Sequence, residues 1–252
     1  MKALIFGGSN GMGKAIAVKI CQEGGNVCIC SRNADKLKLA EKELASYAGC
    51  SVHSQVLDLT DRMSIQNGLS AVLKSFGVPD AVVLNGGGPP PGRFSAISLE
   101  QWEKSVFDLF LSNIIILQTL LAQVKDGASF VFILSDVVRS GNPNLVISAS
   151  LRSGLLGLMK SLAKEYATRQ IRFNAISPGP IATERAQQLF KDRADEEGIA
   201  VELVKKEFLD TLPMYRMGTP EEIAELAYYL LSGKSGFTSG ANIVVDGANN
   251  PM

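Results

Sequence analysis

A glycine-rich turn near the amino terminus constrains the fold of this chain more than any other feature. Residues 2–6 are apolar apart from Lys2, and residues 7–13 read Gly-Gly-Ser-Asn-Gly-Met-Gly. Glycines let a chain turn sharply from a strand into a helix and leave room for a pyrophosphate against the backbone. The amino terminus of the following helix supplies unpaired N–H groups and a favourable dipole. This segment therefore predicts a strand, a turn and a helix that together bind a dinucleotide.

Short apolar segments alternate with helix-prone segments along the rest of the chain. The predicted strands are 2–6, 26–31, 51–57, 80–85, 128–134, 170–176 and 242–246. Helical patterns lie near 12–23, 34–47, 61–76, 99–124, 148–168 and 219–232. This alternation predicts one α/β domain over 1–252, a Rossmann-type doubly wound parallel sheet of about seven strands with helices on both faces. The charged, helix-prone segment 183–212 interrupts the alternation, and we expect it to form a small helical lid.

Composition excludes several classes of function. The chain is 46% hydrophobic and 20% charged, with 25 basic and 25 acidic residues and no basic block. It is therefore expected to be globular, with neither a nucleic acid nor an anionic membrane surface as a partner. Residues 106–124 form the most apolar long stretch, but Asp108, Asn113 and Gln118 interrupt it, so we do not expect a membrane span. A helix that is apolar on most faces is usually covered on both sides, which predicts a homo-oligomer.

Cysteine and histidine usage argues against a metal site. The four cysteines lack metal-type and CxxC spacing, and no secretory leader precedes them, so we expect reduced, buried thiols in a cytoplasmic protein. His53 is the only histidine, and its alternating neighbours predict a position on a strand surface. No metal is expected.

The end of the second strand indicates which dinucleotide is bound. An acidic residue at this position would accept hydrogen bonds from the ribose hydroxyls of NAD. Here Ser31 takes that position and Arg32 follows it. A guanidinium can donate two hydrogen bonds to a 2′-phosphate, and no carboxylate repels that phosphate. The sequence therefore favours NADP(H) over NAD(H).

Taken in order, these motifs resemble those of the short-chain dehydrogenase/reductase family, and the resemblance covers essentially the whole chain. The spacing Gly7-x-x-x-Gly11-x-Gly13 matches the family's turn, Asp58-Leu59 its adenine-contacting pair, and Leu84–Gly87 its Asn-Asn-Ala-Gly turn. Residues 178–183 resemble the loop that contacts the nicotinamide half, and residues 244–247 resemble the closing strand. The resemblance implies these cofactor-binding residues: Gly7, Ser9, Asn10, Gly11, Met12, Gly13, Ser31, Arg32, Asp58, Leu59, Asn85, Gly86, Gly87, Pro178, Gly179, Ile181 and Thr183.

The catalytic positions depart from the family's pattern. The family uses an Asn, a Ser and a Tyr-x-x-x-Lys pair, in which the ammonium lowers the pKa of the phenol that gives its proton to the carbonyl oxygen. The Asn, Tyr and Lys positions are occupied by Leu109, Ile147 and Leu151, and only Ser135 matches. Since Ile and Leu donate no proton, the usual mechanism is absent.

This departure resembles a divergent branch of the family whose members are described as related to 3-oxoacyl-acyl-carrier-protein reductases and also lack the pair. The proline-rich loop 88–92 resembles that branch too, and the resemblance implies a small-molecule or acyl-type substrate and a tetramer or dimer. Ser148 and Arg152 keep the i, i+4 spacing, so we hypothesise that Ser135, Ser148 and Arg152 face the nicotinamide half. Arg152 could instead form a salt bridge between helices or subunits, and Tyr215 is either an acid on a closing lid or an aromatic that packs the lid.

Three functions fit the sequence. The first is an NADP(H)-dependent oxidoreductase that acts on a carbonyl or alcohol through a non-standard active site. The second is a non-catalytic NADP(H)-binding protein, either redox-responsive or an assembly partner. The third is a lyase or isomerase in which the cofactor is structural.

Overall fold

A seven-stranded parallel sheet forms the centre of the structure, a computed structural model that describes residues 1–250. The strands are β1 (Lys2–Phe6), β2 (Asn26–Ser31), β3 (Val52–Val56), β4 (Ala81–Leu84), β5 (Ser129–Ile133), β6 (Arg172–Pro178) and β7 (Asn242–Val245). Their order in the sheet is β3-β2-β1-β4-β5-β6-β7. The order reverses between β1 and β4, and in such sheets ligands bind at the carboxyl ends of the strands beside the reversal. The predicted fold is confirmed.

Helices cover both faces of the sheet. They are α1 (Gly11–Gln22), α2 (Ala34–Leu44), α3 (Arg62–Ser75), α4 (Leu99–Ser105), α5 (Ser112–Leu121), α6 (Val137–Ser140), α7 (Val146–Glu165), α8 (Glu184–Glu197), α9 (Val201–Asp210) and α10 (Pro220–Leu231). Successive strand residues alternate between two cores, because side chains in a strand point to opposite faces. Leu4 and Phe6 pack in the core that α3, α5 and α7 cover, while Ala3 and Ile5 pack in the core that α1, α2 and α10 cover.

The predicted helix over 99–124 is divided in the structure. A π-helical turn, Val106–Leu111, separates α4 from α5. The Nδ2 atom of Asn113 donates to the carbonyl oxygen of Leu109 within this turn, at 2.7 Å. The whole stretch Leu99–Leu121 has 23 residues and a mean hydropathy of 1.4, which is long and apolar enough to cross a membrane. That is weak evidence for a span, because core helices of soluble proteins have the same length and composition.

The prediction of four reduced cysteines is wrong for one pair. Cys21 near the end of α1 and Cys50 just before β3 form a disulfide, with their Cα atoms 5.1 Å apart. Cys28 and Cys30 are free and buried in β2, as predicted. The pair is separated by 29 residues, and only the packing of α1 beside the edge of the sheet brings the two thiols together.

The segment 183–212 is a helical insertion, as predicted. It consists of α8 and α9, whose Phe190 and Phe208 rings lie 5.3 Å apart between centroids. The charged run 191–197 faces solvent except for Ala194, which is buried. Arg193 donates to both Glu197 and Glu207, and these contacts join the two helices on their exposed side.

Candidate active site

The turn at residues 7–13 has a backbone that requires glycine. Gly7 has a φ of 64° and Gly11 a φ of 52°, the left-handed region that L side chains rarely adopt. A Cβ atom at Gly7 would also lie 2.7 Å from the Nδ2 atom of Asn85, and one at Gly13 would collide with the Gly7 carbonyl. The Oδ1 atom of Asn10 accepts from the Gly11 N–H at 2.7 Å and caps α1. The remaining N–H groups of the first turn are suited to a pyrophosphate.

A cavity of about 530 Å³ opens at the carboxyl ends of β1, β2, β3 and β4. Eight predicted cofactor residues line it: Gly7, Ser31, Arg32, Asp58, Leu59, Asn85, Gly86 and Gly87. A Cβ atom at Gly87 would meet nothing within 4 Å, so the cavity is open there. The cavity walls, the glycine turn and the helix terminus all fit the nucleotide half of a dinucleotide cofactor.

Polar groups at the β2 and β3 ends of the cavity are held by local hydrogen bonds. The Oγ atom of Ser9 donates to Oγ of Ser31 at 2.9 Å, which ties the glycine turn to the end of β2. Arg32 is exposed at the cavity wall. The Asp58 carboxylate accepts from the N–H and the hydroxyl of Thr60, both at 2.9 Å.

The loop 178–183 does not line this cavity. The Gly179 N–H donates to the Val245 carbonyl oxygen at 2.9 Å, and Ile181 is buried. Thr183 caps α8, and its Cγ2 atom would lie 3.5 Å from a Cβ atom at Gly11. The loop therefore adjoins the glycine turn at Gly11. Its contact with the nicotinamide half stays a prediction from the family resemblance.

Ser148 and Arg152 form a hydrogen-bonded pair on the buried face of α7. The Arg152 Nε atom donates to Oγ of Ser148 at 3.1 Å. Its Nη1 atom donates to the carbonyl oxygens of Ile133 and Leu134, at 3.0 and 2.9 Å, where β5 ends. Because Leu134 directly precedes Ser135, these contacts bring all three predicted catalytic residues to the carboxyl end of β5.

Arg152 is a buried cation without an acidic partner. Its side chain is 8% exposed, and it takes part in no ion pair within residues 1–250. Burial, and to a smaller extent the nearby charge of Arg185, lower the pKa of Arg152 to about 10. The guanidinium is therefore still charged at neutral pH. The predicted alternative, a salt bridge between helices, does not occur in the described part of the chain.

Ser135 contacts an acidic residue that the sequence analysis did not single out. Its Oγ atom donates to Oδ1 of Asp136 at 3.1 Å, and the Asp136 side chain is 8% exposed. Burial raises the pKa of Asp136, and the charge of Asp246 raises it further. The signal in the sequence is weak, because one Asp after a strand is common at loop starts. Only the fold reveals that this one is buried.

The residues that the sequence predicts at the family's Asn, Tyr and Lys positions are apolar and packed. Leu109 lies in the π-helical turn, is 4% exposed and lines the cavity, while Ile147 is fully buried. Leu151 is half-buried on α7. Tyr215 is 73% exposed with a φ of 51°, so the interpretation that it packs the lid is wrong.

Known proteins resemble the chain over nearly its whole length. A family model described as enoyl-(acyl carrier protein) reductase matches residues 7–248. The 3-oxoacyl-[acyl-carrier-protein] reductase of Chlamydia muridarum is 30% identical over 248 residues, covering 97% of this chain and 95% of that protein. A probable 2,4-dienoyl-CoA reductase of Caenorhabditis elegans is 34% identical over 251 residues, covering 97% of this chain and 79% of that protein.

A solved structure shares the fold as well as the sequence. The NADPH-bound short-chain oxidoreductase of Pseudomonas aeruginosa PAO1, described as containing an atypical catalytic center, is 26% identical with a TM-score of 0.89. The match covers 99% of this chain and 96% of that one. The predicted family and the oxidoreductase class are thereby confirmed. The chain belongs to the short-chain dehydrogenase/reductase family of oxidoreductases.

Proposed function

We propose that this protein is an NADP(H)-dependent oxidoreductase that acts on a carbonyl or alcohol of a small-molecule or acyl-type substrate. Its active site is non-standard and uses Ser135, Ser148 and Arg152. The observation that carries the proposal is the hydrogen-bonded pair of Ser148 and Arg152 at the end of β5, in a family member whose helix α7 contains no tyrosine.

The pair can polarise a carbonyl group. Because Arg152 donates its Nε–H to Ser148, the hydroxyl proton of Ser148 is free to point at a substrate oxygen. The nearby guanidinium charge stabilises negative charge that develops on that oxygen, and burial strengthens this interaction. Ser135, one residue beyond the β5 carbonyls that hold Arg152, supplies a second hydroxyl.

The end of β2 supports NADP(H) as the cofactor, which would supply or accept the hydride. Arg32 is exposed at the cavity wall, where it can reach a 2′-phosphate, and Ser31 stands where an NAD-binding protein would carry a carboxylate. Asp58, the acidic residue of the cavity after β3, is already engaged by Thr60. The NADPH-bound relative from Pseudomonas aeruginosa supports the same cofactor.

The names of the relatives support an acyl-type substrate. One relative is named as a 3-oxoacyl reductase and another as a dienoyl-CoA reductase, so both act on acyl thioesters with a conjugated or β-carbonyl group. Pro89 and Pro90 line the cavity between the end of β4 and α8, where such a chain would enter.

The test has a binding step and a turnover step. Calorimetric titration should give a much lower dissociation constant for NADPH than for NADH, and Arg32→Ala should weaken NADPH binding by about 10- to 100-fold. Arg62→Ala removes an arginine of α3 that does not line the cavity and is the matched control. Oxidation of NADPH is then followed with acetoacetyl-CoA and 2,4-hexadienoyl-CoA. Equal affinity for both cofactors would overturn the NADP(H) assignment.

The second candidate is the non-catalytic NADP(H)-binding protein, which the absence of tyrosine from α7 favours. It predicts tight NADPH binding with no turnover of either thioester. Measurable NADPH oxidation that Arg152→Lys abolishes would exclude this candidate.

A further inference from the structure

The proposed active site needs a proton source. Ser135 and Ser148 can pass a hydroxyl proton to a substrate oxygen. A serine hydroxyl is too weak an acid to be the net proton donor, so the serine must take a proton from another group. Arg152 holds its proton even with a pKa lowered to about 10. A titratable group in contact with one of these residues is therefore required, and Asp136 is in contact with Ser135.

The Asp136 carboxyl is held in a defined position. Oδ1 accepts from Oγ of Ser135 at 3.1 Å, and Oδ2 accepts from Nδ2 of Asn250 at 2.6 Å. Its backbone N–H donates to the carbonyl oxygen of Pro178 at 2.9 Å. Asp136 thus lies between Ser135 and the loop that begins at Pro178, and one oxygen already contacts the hydroxyl that would face the substrate.

The surroundings of Asp136 favour the protonated form. No Lys, Arg or His forms an ion pair with it within residues 1–250. The groups that face it are Ser135, Asn249, Asn250 and the carboxylate of Asp246 at the end of β7, so the only charge among them is negative. Burial is the largest influence and raises the pKa of Asp136, as does the charge of Asp246. The hydrogen bonds from Ser135, Asn249 and Asn250 lower the pKa, but the net shift is upward.

We propose that Asp136 stores the proton of the reaction and delivers it through Ser135 to the substrate oxygen. This inference rests on the proposed function. Asp136 does not contact the substrate in this proposal. It acts through Ser135, which it positions by a hydrogen bond and supplies with a proton.

The step balances for carbonyl reduction. The carbonyl carbon receives a hydride from the reduced nicotinamide, which is oxidised, and the C=O π bond breaks. The carbonyl oxygen takes the hydroxyl proton of Ser135. Ser135 takes the proton of the Asp136 carboxyl across the same 3.1 Å contact, in which the protonated carboxyl is now the donor and Oγ of Ser135 the acceptor. The product is the alcohol, and the Asp136 carboxylate regains a proton from water.

The experiment combines a titration with a pH profile, using the full chain. NMR of ¹³C-carboxyl-labelled aspartates should show one carboxyl that titrates above the ordinary aspartate range, and Asp136→Asn should remove that signal. For reduction of acetoacetyl-CoA by NADPH, kcat should fall as pH rises through the pKa of Asp136. Asp136→Asn should lower kcat by about 100-fold and abolish this limb, with NADPH affinity retained.

Two further variants separate a relay from a structural role. Asp126→Asn makes the same substitution on an exposed carboxylate before β5 and should leave the pH profile unchanged. Ser135→Ala interrupts the relay while leaving the buried carboxyl in place, so it should lower kcat as Asp136→Asn does and keep the elevated titration.

The outcomes distinguish the two proposals. An ordinary titration of Asp136, or an Asp136→Asn variant with the wild-type pH profile, overturns the relay and leaves the oxidoreductase proposal standing. If wild-type protein binds NADPH but reduces neither acetoacetyl-CoA nor 2,4-hexadienoyl-CoA, the proposed function is overturned and the relay with it, whatever the titration of Asp136.

Discussion

At the residue scale, Arg152 is a buried cation that no ion pair stabilises within residues 1–250. Burying a charged side chain without a counter-ion is costly unless hydrogen bonds replace its hydration. Ser148, Ile133 and Leu134 provide acceptors for its Nε and Nη1 atoms. Arg172 is equally buried and is likewise held by carbonyl oxygens, but only Arg152 lies at the carboxyl end of β5 beside Ser135 and Ser148.

Arg152→Lys tests the proposed role of Arg152 in the active site. An ammonium has no planar fork and cannot contact Ser148 and both β5 carbonyls with the same geometry. We expect kcat for acetoacetyl-CoA to fall by about 100-fold, as when a preorganised oxyanion donor is removed, while the protein still folds and binds NADPH. Arg169→Lys, at the other end of the sheet beside Asp126, is the matched control. Unchanged kcat in Arg152→Lys would leave Arg152 with a structural role only.

The raised pKa of Asp136 also predicts how stability depends on pH. Its pKa is higher in the folded protein than in the unfolded chain, so the folded state binds more protons between the two values. The contribution of Asp136 to the free energy of unfolding is therefore present at low pH and is lost as pH rises through the pKa of the folded state. Urea unfolding of wild type and Asp136→Asn should show wild type losing stability relative to the variant over that range. If the free energy of unfolding has the same pH dependence in both proteins, Asp136 does not have a raised pKa.

At the scale of elements, the π-helical turn between α4 and α5 depends on one side chain. The Nδ2 atom of Asn113 donates to the Leu109 carbonyl oxygen at 2.7 Å, in a buried hydrogen bond from α5 back to the turn. Asn113→Ala should lower the free energy of unfolding by roughly 1 to 3 kcal/mol, because a buried hydrogen bond is lost.

The matched control is Thr119, six residues after Asn113 on the same helix, α5. Thr119 donates its hydroxyl to the Ile115 carbonyl in the regular part of α5, where the backbone already satisfies that oxygen. Thr119→Ala should therefore cost much less in urea unfolding. Equal losses in both variants would show that the π-helical turn does not depend on Asn113.

At the scale of the whole molecule, the helix Leu99–Leu121 predicts self-association. Only 39% of its most apolar 18-residue window is buried, and Leu111 is 37% exposed. We propose that a second copy of the chain covers this face. Light scattering after size exclusion should give a dimer or tetramer, and Leu111→Lys should shift it toward the monomer. Leu39→Lys on α2, 70% exposed, is the control. A wild-type monomer at all concentrations would contradict the proposal.

The alternation of strands and helices was readable from the sequence because each segment carries its own periodicity. All seven strands were predicted within two residues at each end, and the capping boxes at Ser98 and Thr219 form as their Ser/Thr-x-x-Gln/Glu spacing indicates. The cofactor cavity was also predictable in large part. Its lining comes from residues directly after strands, which a parallel sheet brings to one edge.

What the sequence could not reveal depends on contacts between distant segments. The disulfide of Cys21 and Cys50, the π-helical turn and the bonds from Asn250 to Asp136 have no local pattern, since each arises where packing brings separate elements together. Local sequence determined the elements, the glycine turn and the absence of tyrosine from α7. Only the tertiary structure decided that Arg152 is buried with uncharged partners and that Asp136 has a raised pKa, because desolvation and contacts between distant residues are properties of the assembled fold.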